Sequence, residues 1–152
     1  MSVDLLERAA AALGDLKDEV VFVGGATVPL WITDPAAPAP RPTKDVDVII
    51  EVASRTGYYA FEDRLRAVGF RNDEEVICRW HHPKPPLVLD AMPTDAAILG
   101  FSAVWQARAF PCATTVELPS GTSIQAVPPP YLLATKLEAY LGRGKRDLLA
   151  SH

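Results

Sequence analysis

The chain has 152 residues, 49% hydrophobic and 22% charged, which fits one ordinary globular domain and excludes a disordered tail or a collagen-like fibre. Fifteen Lys and Arg stand against nineteen Asp and Glu, a net charge of −4, so the chain is no broadly basic nucleic-acid coat. It has no apolar run of about 18 residues, no signal-peptide pattern and only two cysteines, so the expected setting is a reducing cytoplasm with no membrane partner.

Residues 2–17 predict a first helix. Leu6, Ala9, Leu13 and Leu16 recur at three- and four-residue steps, and Ser2 or Asp4 can cap it. The β-branched run Val20-Val21-Phe22-Val23 predicts a buried strand that stops at a Gly24-Gly25 turn. Residues 26–33 can restart as a helix if Pro29 lies in its first turn. Residues 34–43 hold four prolines in ten positions, which predicts an extended connector. Residues 45–52, DVDVIIEV, alternate carboxylates with valines and then become apolar, as a strand of period two does at its start.

Residues 56–68 predict a second helix, with Tyr58, Phe61, Leu65 and Val68 on one face and Gly69 at its C-terminal stop. Residues 76–80 and 87–91 predict two strands around a His-His-Pro-Lys-Pro-Pro turn. Residues 114–118 and 122–127 flank Pro119-Ser120-Gly121, a hairpin signal, and a last helix is expected from Tyr131 to about Leu141. The expected fold class is α+β, a mixed β-sheet covered by helices in a single domain over residues 1–152.

Asp45 and Asp47 are two apart on a strand and so share a face. Two carboxylates that close repel each other unless a cation lies between them, and oxygen-only ligands suit a hard divalent ion. A solvated strand face is the alternative. Asp90 sits inside the apolar string LVLDAM, where an unpaired carboxylate is expensive. Together with the Gly-Gly turn, whose backbone N–H groups can approach an anion, three carboxylates on two strands meet the needs of metal-assisted phosphoryl chemistry. Lys136 and Arg143 lie about 20° apart on an ideal helix, beside the stripe Leu133, Leu137 and Leu141. That edge is either a snorkelling margin or a cation pair for phosphate. Lys136, Arg143, Lys145 and Arg146 fall within eleven residues, opposed there only by Glu138. His81 and His82 lack metal-ligand spacing, Cys78 and Cys112 read as ordinary buried thiols, and Trp31, Trp80 and Trp105 read as core.

The string VFVGGATVPLWI…TKDVDVII resembles the glycine-turn and DxD motif of the polymerase-β-like nucleotidyltransferases, and LVLDAMP resembles their third-carboxylate strand. PPPYLLATKLEAYLGRGKRD resembles the lysine helix of the AbiEii-type toxin branch, so the likeness runs from about Val20 to the chain's end. It implies a polymerase-β-like core that moves NMP from an NTP to an acceptor hydroxyl with Mg²⁺. Gly24 and Gly25 would hold the phosphates, Asp45 and Asp47 would bind the metal, and Lys136 would contact the triphosphate. Asp90 would complete the metal site or help deprotonate the acceptor. The family places a serine where this chain has Ala26, and Thr27 is the hydroxyl expected to substitute. Relatives of this branch act on RNA, tRNA among them, as toxins paired with an antitoxin protein. Arg143, Lys145 and Arg146 are then expected to meet RNA. Similar proteins continue past the lysine helix with an acidic element; Asp147 is expected to stand in, or that C-terminal extension to be absent. The alternatives are an aminoglycoside-like small-molecule acceptor, and a degenerate domain that binds a nucleotide or a partner without catalysis.

Overall fold

In the computed structural model, which describes residues 3–32, 36, 44–52, 54–84, 86–94, 108–131 and 137, the apolar run Val20–Val23 becomes β1, buried along its whole length. A strand buried on both faces needs apolar side chains at every position, and VVFV supplies them. Around it the chain builds a seven-stranded mixed sheet in the order β3-β4-β5-β2-β1-β7-β6, with helices packed against it, an α+β fold. β2 is Asp45–Ile50, β3 Arg71–Asn72, β4 Arg79–Pro83, β5 Pro86–Pro93, β6 Thr114–Glu117 and β7 Ser123–Ala126. β2 pairs parallel with β5 and β1 parallel with β7, while the remaining pairs are antiparallel.

The sheet has two different faces. On one, Phe22, Val46, Val48, Leu89 and Trp80 meet α1 (Asp4–Leu13) and α2 (Arg55–Ala67), whose Leu6, Leu13, Phe61 and Leu65 are buried. On the other, a smaller cluster of Val21, Val23, Ile49, Ala109 and Val127 is packed by Trp31, Met92 and Tyr131. The alternation of β2 sorts its residues between them: Val46 and Val48 go to the main core, while Asp45 and Asp47 emerge beside the smaller cluster. Among the described residues no helix is long and apolar enough to cross a membrane.

Several elements depart from the expected boundaries. α1 ends at Leu13 rather than residue 17, because Gly14 takes φ 57° and the chain continues as a 3-10 segment, Gly14–Glu19. Val3 occupies its N-cap and makes no side-chain capping bond, Asp4 is its first residue, and Ser2 lies outside the described residues. The segment after the glycine turn, Gly25–Leu30, is a 3-10 helix, with Pro29 inside it. β2 stops two residues short of residue 52. α2 is capped by Ser54, whose hydroxyl accepts from the Gly57 N–H at 3.1 Å, and Gly69 follows it at φ 99°. Val68, however, is 36% exposed and leaves the buried face.

β4 starts at Arg79, three residues later than expected. Val76 and Ile77 form part of an exposed turn, and Cys78 takes φ 70°, which breaks the extended run. His81 and His82 therefore lie on β4 rather than in the turn, which is reduced to the two residues between Pro83 and Pro86. Cys78 is buried as expected, but Cys112 is exposed. Trp80 is wholly buried and Trp31 partly so. The hairpin around Gly121, at φ 91°, joins β6 to β7, and a helical turn opens at residues 129–131. Apart from Ala36, the proline-rich stretch 34–43 lies outside the described residues, as does Trp105.

Candidate metal centre

Strand register puts the chemistry in one row. Val23 stands opposite Asp47, Asp47 opposite Asp90, and Asp90 opposite Arg79, so one line crosses β1, β2, β5 and β4 on the same face. Asp45 lies two residues before Asp47 on that face. The result is three carboxylates, each offering one oxygen, with those oxygens all within 4.8 Å of one another. All three residues are partly buried.

This proximity has an electrostatic cost. The Asp47 carboxyl is pushed up from the ordinary 3.8 to about 7, first by burial and then by the negative charges of Asp45 and Asp90, and only partly relieved by Arg79. Among the described residues, the Arg79 guanidinium does not offset burial and the neighbouring carboxylates at Asp47. An arrangement of oxygen-only donors in that condition fits a hard divalent cation such as Mg²⁺, which takes one or two carboxylates and keeps part of its water shell.

The glycine turn is built against the same group. Gly24 follows β1 at φ 77°, and a Cβ placed on it would run into the Asp47 carboxylate. Backbone thus approaches Asp47 as closely as only glycine allows. Thr27 is fully buried, and its hydroxyl donates to the Gly24 carbonyl at 2.8 Å. The structure gives Thr27 a bracing role in the turn rather than an open hydroxyl. Gly25 begins a 3-10 segment of six residues, so the turn lacks the long α-helix whose dipole would favour an anion.

Arg79 was not among the residues that the sequence singled out. Its Nε donates to Asp90 Oδ1 at 2.9 Å and its Nη2 to Oδ2 at 3.1 Å, a two-pronged pair, and Nη2 lies 3.9 Å from Asp45 Oδ2. Both charges favour the guanidinium's protonated state, and its pKa is raised further. A signal for it existed. Two residues separate Pro83 from its partner Pro86, and counting back along both strands brings Arg79 opposite Asp90.

The histidines stay apart from this centre. His81 Nε2 meets Asp73 Oδ2 at 2.7 Å, and His82 stacks at an angle on Phe70 with centroids 4.9 Å apart. Cys78 is buried, and that burial pushes its thiol pKa up, away from the thiolate form. Lys136, Arg143, Lys145, Arg146 and Asp147 lie outside the described residues. Compared with protein-family models and with curated proteins, the chain matches none.

Proposed function

We propose that the chain is a metal-dependent nucleotidyltransferase with a polymerase-β-like core, moving NMP from an NTP to an acceptor hydroxyl. The observation that carries this reading is the convergence of the Asp45, Asp47 and Asp90 carboxylates beside a glycine turn too close for any side chain. The mixed sheet and the residue spacing of the resemblance support it. Asp45 and Asp47 would hold Mg²⁺, with Asp90 completing the set.

When bound, the ion supplies charge neutralisation at the phosphates and lowers the cost of ionising the acceptor hydroxyl. The chain's own residues do the rest. Gly24 lets the backbone of the turn lie against Asp47, so that the turn's N–H groups would meet the phosphates beside the metal. Arg79 holds Asp90 in place through two hydrogen bonds. The acceptor oxygen forms its bond to the α-phosphorus as the bond to pyrophosphate breaks, and the hydroxyl proton passes to a carboxylate of the trio. RNA, tRNA among it, is the acceptor we favour, with a separate antitoxin protein as partner. That part rests on the KLEAYLGRGK string and its cations, Lys136 contacting the triphosphate and Arg143, Lys145 and Arg146 the RNA.

The test is incubation of the full chain with each α-labelled NTP, Mg²⁺ and total RNA. Label entering RNA with the wild type, and absent with Asp47→Asn or with a chelator, is the expected result. No labelled product from any NTP with RNA or with aminoglycosides would reject the transferase.

A further inference from the structure

Arg79 opens β4 directly after Cys78, the one non-glycine residue with positive φ among those described. Such a conformation persists only where the surroundings over-determine it, and it gathers at functional sites. Here the surroundings are specific. The buried Tyr58 hydroxyl reaches the Cys78 sulfur at 3.4 Å and the Ala91 carbonyl at 3.2 Å. The Ala91 N–H in turn donates to the Cys78 carbonyl at 2.8 Å. This brace joins the chain neighbour of Arg79 to the chain neighbour of Asp90. It therefore sets the separation of guanidinium and carboxylate independently of the pair itself.

What the brace delivers is a positive charge to the point where three carboxylates converge. The fork engages both oxygens of Asp90 and lies 3.9 Å from Asp45. We propose that Arg79 is the resident counter-cation of this centre: it holds the aspartates together when no divalent ion is bound and competes with that ion for the same carboxylates. The inference rests on the metal-dependent reading above and adds what sets the metal affinity.

Two effects of Arg79 oppose each other. Its charge repels a divalent ion at a few ångströms with twice the energy of a unit charge. Its fork also freezes the Asp90 side chain, which favours binding, but the freedom of one short side chain is a small quantity beside that repulsion. Charge wins, so Arg79 weakens metal binding while it keeps the ion-free centre assembled. A merely structural arginine would do the reverse, since its loss would loosen the site.

The test is calorimetric titration of the full chain with Mn²⁺, comparing wild type, Arg79→Gln and Arg79→Lys, with Asp47→Asn as the control that loses the site. Arg79→Gln should bind Mn²⁺ about tenfold or more tightly than wild type. Its thermal midpoint should fall without the ion and rise more on adding it. Arg79→Lys keeps the charge and should stay within about threefold of wild type. An Arg79→Gln protein that binds Mn²⁺ equally or more weakly overturns the proposal, as does an Arg79→Lys protein as tight as Arg79→Gln. Should Arg79→Gln fold only in the presence of Mn²⁺, the ion has replaced the guanidinium and the proposal stands; failure to fold with Mn²⁺ as well overturns it. Absence of Mn²⁺ binding by every protein in the set, wild type included, is a different result: it rejects the metal centre itself, and this inference with it.

Discussion

Two acidic groups sit on the same sheet, and the chain treats them in opposite ways. After β3, Asp73 is followed by Glu74 and Glu75 in an exposed turn. The Asp73 carboxylate accepts the Glu75 and Val76 N–H groups, both at 2.8 Å, and faces His81. Those partners, His81 foremost, hold its pKa well below the ordinary carboxylate range. On β2 and β5, by contrast, the carboxylates of Asp45, Asp47 and Asp90 meet one another, and Asp47 is pushed up to about 7. The first group is satisfied by its own backbone and shapes a turn. The second is assembled by strand register in spite of its charge, and a fold that bears that cost has a cation to gain. Clustered acid in a sequence is thus no sign of a metal site until it is known what the carboxylates face.

The largest expected effect comes from Asp47→Asn. Nucleotidyl transfer should fall roughly a hundredfold or more, the scale of several kcal/mol of lost metal assistance. The ion-free protein should become no less stable above pH 7, because a costly charge has gone. Asp73→Asn should do the reverse, lowering the thermal midpoint slightly and leaving transfer unchanged. If both variants lose transfer alike, the contrast between the two groups collapses.

The same contrast predicts stability slopes of opposite sign. Asp47 binds its proton more tightly folded than unfolded, at about 7 against 3.8. Its contribution to stability is fully present below the unfolded value and is lost as pH rises through 7. Each pH step of one between those two values removes about 1.4 kcal/mol, so the whole loss amounts to a few kcal/mol. Asp73 binds its proton more weakly folded, so its contribution is present above the unfolded value and is lost only as the pH falls below it. Urea unfolding between pH 2 and 8, with and without Mg²⁺, reads both, Asp73 below pH 4 and Asp47 above it. Saturating Mg²⁺ should flatten the slope between 4 and 7, and a slope that ignores Mg²⁺ would count against the centre.

Smaller effects separate the glycines. Gly24→Ala forces a side chain at φ 77° against Asp47, whereas Gly121→Ala meets only the strain of φ 91° in open space. The first should cost about 1–3 kcal/mol and reduce transfer; the second should cost about 1 kcal/mol and leave transfer intact. Equal costs with equal activity would remove the glycine turn from the site.

Part of this was legible in the sequence. Asp45 and Asp47 share a face because strand side chains alternate, and Asp90 stood out as a charge in an apolar run. The segment of residues 76–80 misled, because Val76 and Ile77 have strand-like chemistry, yet the turn capped by Asp73 and the positive φ of Cys78 keep them out of the sheet. That displaced the start of β4 and hid Arg79, whose partner is fixed by the pairing of β4 with β5 rather than by any local pattern. Thr27 carried a plausible hydroxyl, but whether such a group faces a cleft or its own backbone depends on the turn, here a 3-10 segment. Val68 fell on the helical stripe of α2 but is its C-cap, where the backbone leaves helical geometry before Gly69 at φ 99°.

The central claim is that the aspartate trio takes up a divalent cation. Titration of the Asp47 side-chain carboxyl by ¹³C NMR, with and without Mg²⁺, tests it most directly. The account predicts a midpoint near 7 without the ion and one well below that when Mg²⁺ is present. A midpoint near the ordinary 3.8 in both conditions would contradict it.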